Sequence, residues 1–319
     1  MHLISKLSIA VVLLACINLS AYEEGFSVND GVKIAYRDYG PTDGDPILLI
    51  TGLGAQLTLW PDFLIQDLQK NNFRPIAIDN RDVGLSTRFT SKPSQLFNYL
   101  KYFLFLPIKA EYTIDDMAED AIGVLDHLSI ERAHILGMSM GGMISQVLVS
   151  SYPDRAKTFT MIASTASTPS PFNGPKFSVT QQLLKRSDKN DIDGRIKQSI
   201  RLFELIGTPG RNYDTLEFKD SMKAYIKRGG DDSGFLRQMS AILGSKNRKK
   251  MLRAITTPTL IIHGKNDPLI KVKNAHSAHK LISTSNLIII NEMGHLIDEG
   301  VYPDFQSQLI DFLKAYHDF

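Results

Sequence analysis

The chain has 319 residues but only one cysteine, Cys16, close to its N-terminus. A domain built from the later residues therefore has no disulfide bond, and its stability must come from packing. The formal net charge is only +2 at pH 7, which gives no reason to expect a nucleic-acid partner. Internal repeats and low-complexity tracts are also lacking. A chain of this length that is 43% hydrophobic can form one large domain with an extensive core.

The N-terminal segment differs from the rest of the chain. A short basic stretch precedes an apolar run at residues 7–15, which has the length of a signal-peptide core and is too short to span a membrane comfortably. We therefore predict an exported protein, periplasmic or secreted, with residues 1–21 as its leader and residues 22–319 as its folded domain. Cys16 follows Leu-Leu-Ala, which resembles a bacterial lipobox, so lipidation at Cys16 and membrane association through the N-terminus form one interpretation. Cleavage near Ala21 to a soluble product and an uncleaved anchor are the other two.

A glycine-rich turn near the middle of the chain joins a strand-like run to a helix-like run. Residues 133–136 are apolar and short, residues 143–149 are apolar at helical spacing, and Gly-Met-Ser-Met-Gly lies between them at 137–141. A Gly-x-Ser-x-Gly turn in this context is a nucleophile elbow, which exposes its serine at the N-terminus of a helix. The helix dipole favours an oxyanion there. The same pattern also occurs by chance, so the assignment of Ser139 depends on its partners.

A serine nucleophile needs a base, and that base needs an acid to orient it. In this architecture the chain order is serine, acid, histidine. Downstream of Ser139, a strand predicted at 259–263 precedes a turn with Asp267, and a strand predicted at 286–290 precedes a loop with His295. Both side chains follow the C-terminal ends of strands, where open α/β sheets place their sites. We predict that His295 is the base and that Asp267 orients it.

Other titratable residues fit these roles less well. Asp298 follows His295 too closely in sequence to orient it easily, and His263 is interpreted as a packing or hydrogen-bonding residue at a strand end. His276 and His279 have a helical spacing that could bind a metal, but no third ligand is apparent. We therefore predict no metal site.

The oxygen of a tetrahedral intermediate needs two backbone N–H donors. One donor belongs to the residue after the nucleophile, which is Met140. The other is expected in the loop after the strand at 46–50, whose glycines allow close approach to a ligand and which places Leu53 as the donor. Met138 and Trp60, the single tryptophan, are predicted to line the substrate pocket, although core packing explains Trp60 equally well.

On these motifs the chain resembles the α/β-hydrolase superfamily from about Gly31 to its C-terminus. It looks most similar to bacterial esterases related to aclacinomycin methylesterase, which share the Asp-x-Arg-Asp-x-Gly-x-Ser turn present at residues 79–86. The resemblance implies a Ser-Asp-His triad that needs no cofactor. One departure is Thr51, since many relatives have histidine before the glycine of this loop. The turn at 79–86 is interpreted as a brace for that loop rather than as a second site.

Alternating strand and helix patterns predict an α/β fold with a mostly parallel, doubly wound sheet. The alternation stops between about 168 and 244, where helix-like runs predict the helical cap that relatives insert over the active site. A densely aromatic segment at 95–108 has two interpretations, namely a lid or pocket wall that contacts lipid, and a helix packed in the core on more than one side.

The predicted function is a serine hydrolase that cleaves carboxylic esters through an acyl-enzyme. Its substrate is expected to be an apolar small-molecule or lipid ester, such as a methyl or fatty-acyl ester. Two alternatives remain open at this stage. The same triad occurs in carbon–carbon bond hydrolases and perhydrolases, and the chain could also be a ligand-binding envelope protein that has kept the fold without catalysis.

Overall fold

The computed structural model describes residues 22–166, 174–185, 188, 190–229 and 232–317. The predicted leader with Cys16 and the first part of the predicted cap insertion lie outside the described residues. Within the described ranges, no helix combines the length and the apolar character that crossing a bilayer requires.

Strands and helices alternate along most of the described chain. The strands are β1 (Glu23–Asn29), β2 (Val32–Asp38), β3 (Asp45–Ile50), β4 (Phe73–Ile78), β5 (Ala133–Met138), β6 (Ala156–Ile162), β7 (Thr259–Gly264) and β8 (Ser285–Ile290). The helices are α1 (Asp62–Lys70), α2 (Gln95–Phe103), α3 (Ile114–His127), α4 (Met140–Ser151), α5 (Phe177–Leu184), α6 (Ile192–Ile206), α7 (Leu216–Arg228), α8 (Asp232–Gly244), α9 (Lys249–Arg253), α10 (Lys273–Leu281) and α11 (Gln306–Lys314).

The strands form one sheet in the order β1-β2-β4-β3-β5-β6-β7-β8. β2 pairs antiparallel with β1 and with β4, and the other neighbours are parallel. This confirms the predicted mostly parallel, doubly wound sheet. The order reverses at β3, which has β4 on one side and β5 on the other. Open α/β sheets bind ligands outside the carboxyl ends of the strands at such a reversal.

The sheet is buried on both faces, which explains why its central strands are continuous apolar runs. Leu48 of β3 faces the cluster that contains Ile144 of α4, and the next residue, Leu49, faces the cluster that contains Leu64 of α1 and Leu309 of α11. Successive side chains of a strand point to opposite faces, so one strand contributes to two apolar layers.

Helices α5 to α8 lie between β6 and β7 in the chain, in the region of the predicted cap. They have a small core of their own, in which Ile196 and Ile200 of α6 pack with Tyr213 and Met222. The sequence predicts a helix-like run at 192–206, and α6 has these bounds. Its apolar residues recur at helical spacing, and Asp191 caps its N-terminus by accepting a hydrogen bond from the N–H of Gly194.

Two ion pairs, each with a buried aspartate, fasten these helices to the turn at 79–86. Arg237 of α8 binds both carboxylate oxygens of Asp82 at 2.8 Å, and Arg228 at the end of α7 lies 2.6 Å from Asp79. The side chain of Asn80 in the same turn donates to the carbonyl of Thr51 at 3.0 Å. These contacts confirm that the turn braces the loop after β3.

The aromatic segment is helical at α2, and of its two interpretations the one that packs it in the core on more than one side is contradicted by the exposure of its side chains. Helix α2 packs against α8, where Asn98 donates to the hydroxyl of Ser240 at 2.8 Å. Most of its other large apolar side chains remain exposed (Phe97, Leu100, Phe103, Leu104, Phe105, Leu106). The apolar composition of this segment therefore does not reflect burial on more than one side.

Replacement of Arg237 tests the stabilisation that the cap receives from its buried ion pairs. In Arg237→Met the Asp82 carboxylate stays buried without its cation, so we expect a loss of about 3–5 kcal/mol in the free energy of unfolding. Urea unfolding followed by circular dichroism measures it. The control is Lys219→Met, which removes the partner of Asp214 in an exposed pair and should cost less than about 1 kcal/mol. Equal losses in the two variants would contradict the assignment.

Candidate active site

Ser139 stands in the turn between β5 and α4, with a left-handed backbone at φ 56°. A serine before a helix usually caps it by accepting a hydrogen bond from the second or third helical N–H. Here the side chain of Ser139 makes no such bond. The backbone is fixed instead, because its N–H donates to Ile162 at 2.9 Å and its carbonyl accepts from the hydroxyl of Ser164 at 2.6 Å. The strained turn therefore holds the residue while the hydroxyl is not used for capping.

Glycine at position 141 allows α4 to lie against the end of β3. A Cβ atom there would be 1.9 Å from the carbonyl oxygen of Ile50, so no other residue fits without displacing one of the two backbones. The close contact brings the elbow beside the loop that follows β3. An ideal Cβ on Gly52 of that loop would lie 3.1 Å from the Cβ of Ser139.

Asp267 and His295 come together because β7 and β8 are parallel neighbours. Gly264 at the end of β7 pairs with Ile290 at the end of β8, so the loops after them leave the sheet side by side. Nδ1 of His295 lies 2.7 Å from Oδ2 of Asp267. The other carboxylate oxygen accepts from the N–H groups of Leu269 and Ile270, each at 2.8 Å. The carboxylate is thus held on both of its oxygens.

Burial alone would raise the pKa of Asp267, but neighbouring groups outweigh it. The ring of His295 and a hydrogen bond from His263 favour the ionised carboxylate, and the pKa of Asp267 lies below its usual range. Nε2 of His263 is 3.3 Å from Oδ2 of Asp267 and 2.7 Å from the carbonyl of Ile270. The hydrogen-bonding role predicted for His263 is confirmed. Asp298 points elsewhere, since its carboxylate pairs with Arg211 at 3.2 Å.

The loop after β3 is shaped from several sides. Inside it the hydroxyl of Thr51 donates to the carbonyl of Ala55 at 2.8 Å. The N–H of Gly54 donates to the side chain of Gln238 in α8 at 2.7 Å, and its carbonyl accepts from the hydroxyl of Tyr225 in α7. Sequence reasoning missed Gln238 and Tyr225. No local pattern marks them, because their partner is distant in the chain.

The two predicted oxyanion donors are available for a ligand. Met140 is the first residue of α4, so its N–H has no partner within the helix. The N–H of Leu53 makes no protein hydrogen bond within the described part of the chain. Both residues line the cavity that is described next.

A cavity of about 520 Å³ opens above the carboxyl ends of the strands, between the body and the cap helices. That volume is typical of small-molecule sites. Most of the side chains that line it are apolar. Every predicted catalytic, oxyanion or pocket residue except Asp267 is on its wall (Trp60, Leu53, Met138, Ser139, Met140, His295). Trp60 is also buried in the core, so it lies on the cavity wall and in the core packing at once.

The structure therefore brings Asp267 and His295 into hydrogen-bond contact and places Ser139 on the same cavity wall as His295. Cys16 lies outside the described residues. His276 and His279 both lie in α10, where the ring of His279 bonds the hydroxyl of Ser285 at 2.9 Å. No group of three metal-ligating side chains occurs among residues 22–317 insofar as they are described.

The lowered pKa of Asp267 predicts an acid-dependent contribution to stability. In the wild type this contribution is present above the ordinary carboxyl pKa of about 3.9 and is lost as pH falls through the lower pKa of the folded state. Asp267→Asn should therefore be destabilised at neutral pH by about 1–3 kcal/mol, and the difference should shrink below about pH 4. Urea unfolding over this pH range measures the difference.

The exposed Asp220→Asn is the control and should match the wild type at every pH. A difference between Asp267→Asn and the wild type that stays constant, or that widens in acid, would contradict the assigned direction of the shift.

Comparison with known proteins places this geometry in a family. The chain matches the family model of the alpha/beta hydrolase fold over residues 45–298. It is 26% identical to rhodomycin D methylesterase of Streptomyces peucetius over 306 residues, which cover 90% of this chain and 97% of that protein. It is 25% identical to 2-hydroxymuconate semialdehyde hydrolase of a Pseudomonas species, over 89% of this chain and 91% of the relative.

Solved structures agree with the fold. The 2-hydroxy-6-oxo-6-phenylhexa-2,4-dienoate hydrolase of a Rhodococcus species superposes with a TM-score of 0.72 at 17% identity, covering 92% of this chain and 99% of that one. The family match spans most of the chain and contains the elbow, the acid and the histidine. The protein therefore belongs to the alpha/beta hydrolase fold family.

Proposed function

We propose that this hydrolase cleaves neutral, apolar carboxylic esters with Ser139 as nucleophile, His295 as general base and acid, and Asp267 as the group that orients His295. The observation that carries the proposal is the 2.7 Å contact between Asp267 and His295, on a histidine that shares its cavity wall with an uncapped elbow serine. The carboxylate fixes the imidazole tautomer, leaving Nε2 to receive a proton.

The reaction then proceeds in two halves. Oγ of Ser139 attacks the ester carbonyl carbon while its proton moves to Nε2 of His295, and the N–H groups of Leu53 and Met140 stabilise the oxyanion. The bond to the alkoxide breaks as His295 returns the proton to the leaving alcohol. A water molecule then attacks the acyl carbon while its proton moves to Nε2 of His295. The bond from that carbon to Oγ of Ser139 breaks, His295 returns the proton to Oγ, and the carboxylic acid leaves. No metal or organic cofactor takes part in these steps.

Electrostatics of the cavity favour an uncharged substrate. No lysine or arginine is among the described residues that line it, and the buried Asp298 contributes a negative charge to the wall. Arg211, the cation next to Asp298, is already paired with it. Two of the similar proteins, 2-hydroxymuconate semialdehyde hydrolase and 2-hydroxy-6-oxo-6-phenylhexa-2,4-dienoate hydrolase, are named for substrates that are carboxylates. Burial of a carboxylate without a cation is costly, so a methyl ester or another neutral ester fits this cavity better.

Labelling with a fluorophosphonate tests the nucleophile. The wild type should form one covalent adduct, located by mass spectrometry on Ser139, and Ser139→Ala should form none. Ser199→Ala is the matched control, because Ser199 lies on the same cavity wall but its hydroxyl already donates to the carbonyl of Arg195. His295→Ala should lower kcat/KM on p-nitrophenyl esters by at least about a thousandfold. Well-folded wild-type protein that takes no label would refute the proposal and favour a non-catalytic binding protein.

A pair of methyl esters tests the preference for uncharged substrates. Methyl hexanoate and monomethyl adipate have similar length, but the second carries a carboxylate at its far end. We expect kcat/KM for the neutral ester to exceed that for the anion by at least about a hundredfold. Thr180→Lys, which adds a cation to the cavity wall, should narrow the ratio. Equal turnover of the two esters would contradict this preference. Hydrolysis of a vinylogous diketone, with no hydrolysis of any simple ester, would favour the carbon–carbon bond hydrolases instead.

A further inference from the structure

The most unusual surface of the described chain is an apolar patch at and after the end of α2. We define it by six neighbouring side chains that are each more than half exposed (Phe97, Leu100, Phe103, Leu104, Phe105, Leu106). Large apolar side chains are normally exposed singly, and a contiguous exposed group marks an interaction site. Phe105 is 70% exposed. Core packing therefore does not explain the composition of this segment.

Backbone geometry at the end of α2 supports the same conclusion. The N–H of Leu106 donates to the carbonyl of Lys101 at 2.8 Å and the N–H of Phe105 donates to that of Tyr102 at 3.2 Å, the bond pattern of a Schellman motif. The left-handed position of this motif usually belongs to glycine, yet here it is Phe105, at φ 55°. A bulky residue in this backbone region is rare, and its presence at an exposed site points to a role for the side chain.

The distribution of charged residues around the patch indicates what kind of partner binds it. Residues 83–110 contain no aspartate or glutamate, whereas Lys92, Lys101 and Lys109 lie in and around the patch. Nζ of Lys101 lies 4.7 Å from the ring centroid of Phe97, which belongs to the patch. Aromatic and leucine side chains interleaved with lysines are typical of segments that lie in the interface of an anionic bilayer.

The patch is continuous with the candidate active site. Phe103 is exposed to solvent and also lines the cavity, as does its neighbour Tyr102, so this end of α2 forms part of the cavity mouth. Outside the patch, the exposed Phe177 lies two residues after Pro175, which is also on the cavity wall. A surface that contacted a bilayer here would place the cavity mouth against lipid.

We propose that the exposed patch of α2 docks the protein on the surface of an anionic phospholipid bilayer, with the mouth of the cavity facing the lipid. The aromatic and leucine side chains enter the interface, and Lys92, Lys101 and Lys109 contact lipid phosphates. This docking is independent of the leader. It concerns binding and not catalysis, so it stands or falls separately from the proposed esterase activity.

A local fluorescence probe in the full-length chain tests the docking. Trp60 is buried and is present in the wild type and in every variant, so the difference between Phe105→Trp and the wild type isolates the signal of the patch. With vesicles of phosphatidylglycerol and brominated phosphatidylcholine, emission from position 105 should be quenched. The matched control is Val28→Trp, an exposed position in β1, which should be quenched at most weakly. Equal quenching at the two positions, or none at position 105, would overturn the proposal even if the leader holds the chain on the vesicles.

Binding variants provide the second measurement. The triple variant Phe97→Ser, Leu100→Ser, Leu104→Ser changes no residue on the cavity wall and should lower vesicle partitioning at least about tenfold. Lys92→Gln with Lys101→Gln and Lys109→Gln should weaken partitioning only when phosphatidylglycerol is present. A circular dichroism spectrum and a urea midpoint that match those of the wild type show that each variant is folded.

Two other outcomes would also overturn the proposal. Sedimentation that shows a dimer lost in the serine triple variant, without any quenching at position 105, would identify a second copy of the chain as the occupant. Partitioning that is unaffected by either triple variant would assign membrane binding to another part of the chain. Ser139→Ala should bind vesicles as the wild type does, which keeps this test separate from that of the catalytic proposal.

Discussion

The close contact between the start of α4 and the end of β3 is the constraint on which the site depends. It exists because position 141 carries no Cβ, which would otherwise meet the carbonyl of Ile50. The contact brings the turn after β5 beside the loop after β3, so the candidate nucleophile and the candidate oxyanion donors share one small volume. Parallel pairing of β7 with β8 performs the same task for Asp267 and His295. Four loops from different parts of the chain thus converge at one edge of the sheet.

The helices between β6 and β7 also help to position the loop after β3. Gln238 and Tyr225 bind the two polar groups of Gly54, and two buried arginine–aspartate pairs hold their helices on the turn at 79–86. The loop with the predicted donor Leu53 is therefore positioned by the sheet on one side and by the cap on the other. Because buried ion pairs are costly to break one partner at a time, the cap is tied to the body and not merely packed against it.

The cavity and the patch beside it both favour contact with apolar molecules. The described wall of the cavity is apolar and lacks a cation, which suits a neutral ester, and the surface next to its mouth is apolar with lysines at its border. A hydrolase with such a cavity and surface would bind its substrate at a lipid bilayer, where apolar esters accumulate. The proposed docking on anionic bilayers adds this location to the chemistry proposed for Ser139.

The sequence by itself determined the fold and the identity of the candidate site residues. A glycine-flanked serine between an apolar strand and a helix, and an acid and a histidine that each follow a strand, are local patterns, because strand ends and tight turns are specified by neighbouring residues. Only the tertiary structure decided which distant groups support them. The role of Gln238 at Gly54, the pairing of Arg237 with Asp82 and the exposure of α2 each depend on which helix packs where. The apolar composition of α2 is the same whether it is buried or exposed, so its environment could be learned only from the packed chain.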